Sequence, residues 1–551
     1  MSPPEKPDPS PPSQPSIGRS AFLVAAGIFL SKISGLVRER ILAHYFGTSF
    51  IADAFRAALR IPNFLQNLFG EGVLSASFIP VYAKLVAQGE KEESGRVAGA
   101  IFTLLMLVTS VLVLVGVVAT PYLIDVIAPG FRGETRRLTI GLVRILFPGA
   151  GLLVLSAWCL GILNSHRKFF LSYVSPVIWN TAFVVALFVF SGRPDSFCSV
   201  DEHSQRSLDT LTRCAQLAVY TAWGSVIGSG LQFLIQLPVV LRLAPGIQLF
   251  FSSLSRNVLT VISNFIPAFV SRGVVQLSAY VDSLLSSYLP AGALSSLTFA
   301  QTLYLLPVSL FGMSVSVAEL PAMSSALGDD QEVAKILRGR ILSSTRRIGF
   351  FVVPSAVAFL ALGDVVAAAI YQTGRFTHSD ARYVWAILAG SAVGLVASTV
   401  GRLYSSAYYA LRDTRTPLRF AIVRVVLTTV LGYLFALPLP KLLQIDPKWG
   451  VAGLTASAGL AAWLEFLLLR RGMNQRIGRM EFPFSYFTKL WFSAAVGAGL
   501  AWGLRIWFAP RHPQVAAVVI LVPYGLAYLA MTALLGINEA GSLLKRLARL
   551  R

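Results

Sequence analysis

The sequence predicts an all-α polytopic membrane protein with about 14 transmembrane helices. Three observations predict it. Hydrophobic residues make up 55% of the 551 residues and charged residues 13%, against roughly 25% charged in soluble proteins. The mean hydropathy is +0.66. Apolar stretches as long as the roughly 20 residues a helix needs to cross a hydrocarbon core of about 30 Å recur along the whole chain.

The first 17 residues hold seven prolines. They read as a disordered, dispensable cytoplasmic tail with neither the apolar core nor the small-residue cleavage site of a signal peptide. Apolar stretches then fall near 20–46, 51–86, 97–127, 135–164, 169–191 and 215–241. A second series falls near 258–289, 296–325, 348–373, 383–411, 419–439, 450–470, 486–508 and 514–537. An even number of spans puts both termini on one side. The loops on that side hold about 25 Lys and Arg against about 11 opposite, which makes it the cytoplasm. Most of the difference comes from Lys335-Arg338-Arg340-Arg346-Arg347, Arg470-Arg471-Arg476-Arg479 and Lys545-Arg546-Arg549-Arg551. The net charge of +21, from 47 Lys and Arg against 26 Asp and Glu, is therefore a topology signal with attraction to anionic lipid. It does not mark a nucleic-acid partner.

Three cysteines, Cys159, Cys198 and Cys214, are too few for a disulfide scaffold. On this topology the loop 192–213 faces the oxidising side, and Cys198 and Cys214 bracket it. A Cys198–Cys214 disulfide is a candidate there. The five histidines are scattered without metal-ligand spacing, so no metal site is expected.

Charge inside a span is costly and tends to face a cavity or a partner. The first span carries Lys32, Arg38, Glu39 and Arg40, with Lys32 and Glu39 seven residues apart on one face. In the second, Asp53, Arg56, Arg60, Asn63, Asn67 and Glu71 recur at three- and four-residue intervals and draw one polar stripe along a helix. An amphipathic helix lying on the membrane surface would be nearly all basic on its polar face. This stripe mixes acid and base, and so reads as the lining of a water-filled cavity, with buried ion pairing as the other possibility. Pro62, Gly70 and Gly72 should kink or loosen the helix. Asp282 lies mid-span among Tyr280, Val281, Leu284 and Leu285, where a carboxylate is neutral or paired with a cation.

These residues carry a specific resemblance. Ser31-Lys-Ile-Ser-Gly-Leu-Val-Arg-Glu39 runs on to Tyr45-Phe-Gly47, Ala52-Asp-Ala-Phe55, Arg60-Ile-Pro-Asn-Phe-Leu65, Phe69-Gly-Glu-Gly72 and Phe78-Ile-Pro80. Farther on come Ala128-Pro-Gly-Phe131, Gly161-Ile-Leu-Asn-Ser165, Ser175-Pro-Val-Ile-Trp-Asn180, Leu306-Pro307 and Ala410-Leu-Arg-Asp-Thr-Arg-Thr-Pro417. In order and spacing they resemble the MurJ/MviN family of lipid II flippases, within the MOP group that also holds MATE-type multidrug and polysaccharide exporters. The resemblance spans Ala21 to Arg479.

The resemblance implies two six-helix lobes, 18–243 and 244–480, around a central cationic cavity. Residues 481–551 would add spans 13 and 14, a groove for an isoprenoid tail, and a basic cytoplasmic C-terminus. It implies lipid II, the undecaprenyl-pyrophosphate-linked disaccharide-peptide, as cargo, moved by alternating access from the inner to the outer leaflet of the bacterial cytoplasmic membrane. Membrane lipids and the peptidoglycan synthesis machinery would be its neighbours. Lys32, Arg38 and Arg60 suit a pyrophosphate, while Glu39, Asp53 and Glu71 would pair with those cations or touch the sugar-peptide part.

The chain departs from the family at Gln66, where many members are basic, and at Ala300-Gln-Thr-Leu303, where many have an acid-arginine pair. Arg56 would stand in for one missing charge. Some members bind sodium between spans 7, 11 and 12. Asp282 and Thr455 match two of those positions, but span 11 offers no carboxylate, so sodium, a proton or the membrane potential alone stay open as energy sources. No other cofactor is implied. The alternatives are export of another polyprenyl-linked oligosaccharide or MATE-like drug antiport. A membrane-embedded enzyme acting on polyprenyl phosphates would need clustered carboxylates for a metal or a His/Asp pair for acid-base work. The sequence shows no such cluster, so a transporter and no enzyme is expected.

Overall fold

The computed structural model describes residues 17–192, 206–247, 255–324, 330–411, 413–508 and 512–541. The proposed tail up to residue 16, Cys198 and the last basic cluster lie outside them, while Ile17 already belongs to the first helix. The described chain is almost wholly helical. It begins with α1 (Ile17–Phe46), α2 (Phe50–Phe69), α3 (Glu71–Ser77), α4 (Ile79–Ala87), α5 (Lys91–Ile127), α6 (Gly133–Ser165), α7 (Phe169–Ser191) and α8 (Arg206–Leu243). Then come α9 (Arg256–Ser287), α10 (Ala293–Pro307), a π-helical turn (Val308–Met313), α11 (Ser314–Ser324), α12 (Asp330–Tyr371), α13 (His378–Ala392) and α14 (Leu395–Ala410). The chain ends with α15 (Arg415–Ala436), α16 (Pro438–Leu442), α17 (Gly450–Ile477), α18 (Phe484–Phe508) and α19 (Pro513–Leu534).

Among the described residues nine helical segments are long and apolar enough to cross a membrane, and ten if α13 and α14, bent by 44°, form one span. That is fewer than the fourteen expected. Helices α1, α2, α9 and α18 occupy four of the expected positions without being among the nine. For α2 the reason is its own charge, because Asp53, Arg56 and Arg60 lower its apolarity.

The second expected stretch is broken where glycine permits it. Helix α2 runs unbroken through Pro62 and stops at Gly70. A Cβ there would lie 2.2 Å from Gln66 O, so only glycine lets the chain turn back so tightly. The bend between α13 and α14 has the same origin. A Cβ on Gly394 would lie 2.4 Å from Gly459 Cα, so the bend seats one backbone on another.

Packing divides the apolar side chains unevenly. One large cluster joins the α1–α2 corner (Leu42, Phe46, Ile51, Phe55) and the adjoining ends of α6, α7 and α8 to α10, α12–α14, α17, α18 and α19. A second cluster holds α3 and α4, the first half of α5, the second half of α6, and Val258 and Val261 of α9. The two halves of the chain thus share one core at the end where α1 stops. At the opposite end a separate core is built mostly from the first half, with Val258 and Val261 of α9 added.

Helices α18 and α19 pack on each other and on α12, fixed by polar side chains aimed at α12 carbonyls. Tyr486 Oη donates to Arg346 O at 3.2 Å, Tyr528 Oη to Phe350 O at 2.6 Å, Tyr524 Oη to Pro354 O at 2.6 Å and Trp502 Nε1 to Ala361 O at 3.2 Å. Arg505 pairs with Asp364 at 2.7 Å. The Tyr528 bond has a particular cause. Pro354 has no N–H, so Phe350 O, four residues earlier, has no helical donor, and Tyr528 supplies one. Tyr528→Phe should therefore cost about 1–3 kcal/mol, the penalty for an orphaned buried carbonyl, and Tyr524→Phe only about 0.5–1.5 kcal/mol. Thermal melting of the two variants in one detergent tests this, and equal losses would refute the proline account.

Outside the spans, Asp413 organises the turn into α15. It accepts from Arg415 N and Thr416 N at 3.0 Å and from Thr416 Oγ1 at 2.6 Å, and pairs with Arg476 at 2.5 Å. The Thr416 hydroxyl first, then its N–H, hold the Asp413 carboxyl below its ordinary range. The stabilisation this gives is present at neutral pH and is lost as pH falls through the depressed value.

Candidate substrate site

The charged stripe of α2 meets the charged end of α1, and the meeting point is a buried ion cluster. Glu39 is 4% exposed. One of its oxygens accepts from Arg38 Nη2 at 2.6 Å, and the other accepts from Arg56 Nη2. Arg38 also donates to Asn180 Oδ1 at 3.1 Å, and Asn180 Nδ2 donates in turn to Ser34 Oγ at 2.8 Å. The Arg38 guanidinium lies over Trp179, 4.7 Å from the ring centroid, and that of Arg56 over Phe299 at 4.8 Å. Two guanidiniums thus share one carboxylate, with aromatic faces on both sides. The cluster carries one positive charge in excess. No described residue accepts from the buried Arg56 Nε.

One turn along α2, Arg60 Nη2 donates to Gln301 Oε1 at 3.1 Å, and Arg60 O accepts from Tyr280 Oη at 3.1 Å. Gln301 Nε2 reaches Asp282 Oδ2 at 3.5 Å. The cations of α2 therefore touch α1, α9 and α10 in sequence, which places the site between the two halves of the chain. Lys32 and Asn63 are exposed on α1 and α2. Glu71 begins α3, and its side chain lies outside those described.

Asp53 does something other than face these cations. Its two oxygens accept from Gly292 N at 2.6 Å and Ser295 N at 2.7 Å. It is 3% exposed and caps the N-terminus of α10, whose first amides have no helical partner. In this conformation Asp53 belongs to a seal and not to the cluster.

No local pattern marks that seal, because its partners are hundreds of residues apart. Arg40 Nη1 donates to Ala369 O at 3.0 Å and Ile370 O at 2.6 Å, in the last turn of α12, where a cation also suits the helix dipole. His44 Nδ1 lies 2.9 Å from Thr373 Oγ1, and Arg375 N donates to His44 O at 2.9 Å. Thr48 Oγ1 donates to Asp380 Oδ1. Gly292 has φ +91°, and a Cβ on it would lie 2.4 Å from Thr48 O. Gly292→Ala should thus strain the backbone by about 1–2 kcal/mol and push the corner away. Faster labelling of a cysteine placed at Ala52 would report the opening, and unchanged labelling would argue against the contact.

Asp282 and Thr455 line a cavity of about 150 Å³ together with Gln301, Tyr304, Ser391 and Arg424. Thr455 Oγ1 lies 2.8 Å from Ile387 O and 3.1 Å from Ala452 O. Cys214 is buried in α8, but Cys198 lies outside the described residues. Cys159 is a free, buried thiol. Among the described residues no group of three or more His, Cys, Asp and Glu could hold a metal ion.

Long apolar helices, several of them broken, around a buried charged cluster between two halves of one chain define a polytopic membrane carrier. A sequence profile described as lipid II flippase MurJ matches residues 42–526, and the chain belongs to that family. It is 29% identical over 543 residues to the lipid II flippase MurJ of Burkholderia cenocepacia, covering 95% of this chain and 98% of the relative. It is 30% identical over 468 residues to a protein of Rhizobium tropici described as a probable lipid II flippase MurJ, covering 82% and 81%. Among solved structures the fold matches a lipid II flippase MurJ in an inward closed conformation, with TM-score 0.74, 23% identity and coverage of 93% and 98%. It also matches an inward-facing MATE family multidrug resistance transporter of the MOP superfamily, with TM-score 0.64, 16% identity and coverage of 83% and 98%. The expected MATE/MOP-like architecture is the fold of this chain.

Proposed function

We propose that this chain is a lipid II flippase of the bacterial cytoplasmic membrane and no enzyme, carrying the pyrophosphate-linked headgroup past the Arg38–Glu39–Arg56 cluster by alternating access. Membership of the MurJ family supports the cargo. The single structural observation that carries the reading is the excess of buried cations. Two guanidiniums on one carboxylate, with Arg60 a turn away and within reach of Asp282, make the cluster itself cationic and suited to an anion. Guanidiniums bind phosphate oxygens by paired, charge-assisted hydrogen bonds. A carrier of cationic drugs would need the opposite balance.

The packing supports a lobed division at 18–243, 244–480 and 481–551 except at α9, which lies mostly against α2, α3 and α5 of the first lobe. Helices α1, α2 and α5–α8 pack on one another, α10, α12–α15 and α17 do the same, and α18–α19 form a pair against α12. With both termini cytoplasmic, as the loop charges favour, the shared core and the seal lie at the outer end. The path from the cluster then leads inward. A carrier rocking about a central site would break that seal to release cargo outside.

Complementation tests this. In a bacterium depleted of its own lipid II flippase, this protein should restore growth and the exposure of lipid II at the outer leaflet. Well-inserted protein that gives no rescue, and that binds cationic dyes but not lipid pyrophosphates, would replace flippase with drug exporter.

A further inference from the structure

We infer that the small cavity between α9, α10, α13, α15 and α17 holds a tethered cation, the Arg424 guanidinium, in place of a bound sodium ion, and that this carrier works without sodium. The inference deepens the reading of the chain as an alternating-access carrier, but it concerns ion binding alone.

The residues do not fit sodium. A hard cation needs several oxygen ligands, and in a partly buried site any excess of positive charge opposes it. The carboxylate in this cavity is Asp282, and it lies within Coulombic reach of both Arg60 and Arg424. Arg424 lines the same cavity and pairs with Glu465 at 2.9 Å. Arg402 adds a third guanidinium within reach of Arg424 and Glu465. Three guanidiniums against two carboxylates already exceed neutrality, and a further cation would be repelled in this partly buried setting.

The neutral oxygens are engaged in hydrogen bonds as well, which leaves fewer lone pairs for an ion. A helix broken inside a membrane can offer its freed carbonyls to an ion, and the break between α13 and α14 faces this cavity through Ser391 and Gly394. Yet the carbonyls around the break already accept from protein. Thr455 Oγ1 donates to Ile387 O at 2.8 Å, Gly394 N to Ser391 O at 3.2 Å and Trp463 Nε1 to Val393 O at 2.8 Å. Gln301 Oε1 is taken by Arg60, and the Tyr304 hydroxyl by Ser398 Oγ at 2.7 Å. The ion is thus built into the sequence as a side chain on α15.

The experiment compares purified full-length protein in sodium chloride, potassium chloride and choline chloride at one ionic strength, reading thermal melting and binding of radiolabelled sodium. The parent should melt alike in all three and bind no saturable sodium. Arg424→Asn, which removes the tethered charge but keeps a polar group, should gain a sodium-specific rise in melting temperature. Arg424→Lys should behave as the parent, and it keeps the test decisive if the asparagine variant does not fold. Saturable sodium binding by the parent, lost in Asp282→Asn, would overturn the inference. A folded Arg424→Asn variant still indifferent to sodium would overturn the part given to Arg424. Neither readout involves a lipid cargo, so a failure here is separable from a failure of the flippase reading.

Discussion

Arg38→Ala gives a folded, membrane-inserted protein that no longer restores growth to cells depleted of their lipid II flippase. The two halves of that result rest on different contacts. Removing the Arg38 guanidinium leaves Glu39 still paired with Arg56, so no buried carboxylate is stranded. Asn180 keeps its bond to Ser34. What is lost is the more accessible of the two cations, since the Arg38 side chain is 18% exposed against 5% for Arg56, and with it the group best placed to meet a phosphate. Growth and outer-leaflet lipid II should fall to the level of the empty vector, while detergent-extracted protein elutes as the parent does. Arg38→Lys keeps the charge but not the fork-shaped geometry, so it should restore growth only in part. Full rescue by Arg38→Ala would remove the residue from the site.

Glu39→Ala has the opposite profile, a loss of the fold before any loss of transport. It leaves the guanidiniums of Arg38 and Arg56 facing each other without their shared anion. Taking one partner from a buried ion pair costs about 3–5 kcal/mol, whereas replacing the pair with apolar groups of similar volume can be neutral. Glu39→Ala should therefore melt far below the parent. Combining it with Arg56→Met should recover most of the loss, because the methionine can lie against Phe299 where the guanidinium now sits. Melting curves for the single and double variants decide it. A single variant as stable as the parent would mean that the cluster is solvated.

Much of this architecture was legible in the sequence, because apolar length and three-to-four-residue spacing are local properties. The α2 stripe and the weak point at Gly70 were of that kind. The partners were not legible. Periodicity put Asp53, Arg56 and Arg60 on one side of a helix, but it could not tell that Arg56 turns to Glu39, Arg60 to Gln301, and Asp53 away to an amide 239 residues later. Such choices are made by tertiary packing, which no short window contains. Arg424 and Glu465 lie 41 residues apart in the chain, and only folding brings them together at 2.9 Å. Apolarity alone picks out nine spans among the described residues, or ten with the bent pair taken as one, for a related reason. A helix that keeps its charges inward, as α2 does, needs its neighbours before it is apolar from outside.

The seal at the α1–α2 corner is lopsided in a way that bears on how such a protein can be tuned. Arg40, Thr48 and Asp53 contribute side chains, while most of what they grip is main chain: Ala369 O, Ile370 O, Gly292 N and Ser295 N. Substitution cannot delete a carbonyl, and only proline removes an amide N–H. Apart from Gly292, Thr373 and Asp380, the other side of the lock is consequently fixed by the existence of helix ends, and the time spent shut is adjustable mostly from a stretch of fourteen residues, 40–53. Each net hydrogen bond is worth about 0.5–1.5 kcal/mol, so single replacements there shift the balance of shut and open forms by small, graded steps. Random variants that alter transport speed without touching the cargo cluster should accumulate in that stretch and be sparse in the loops it holds.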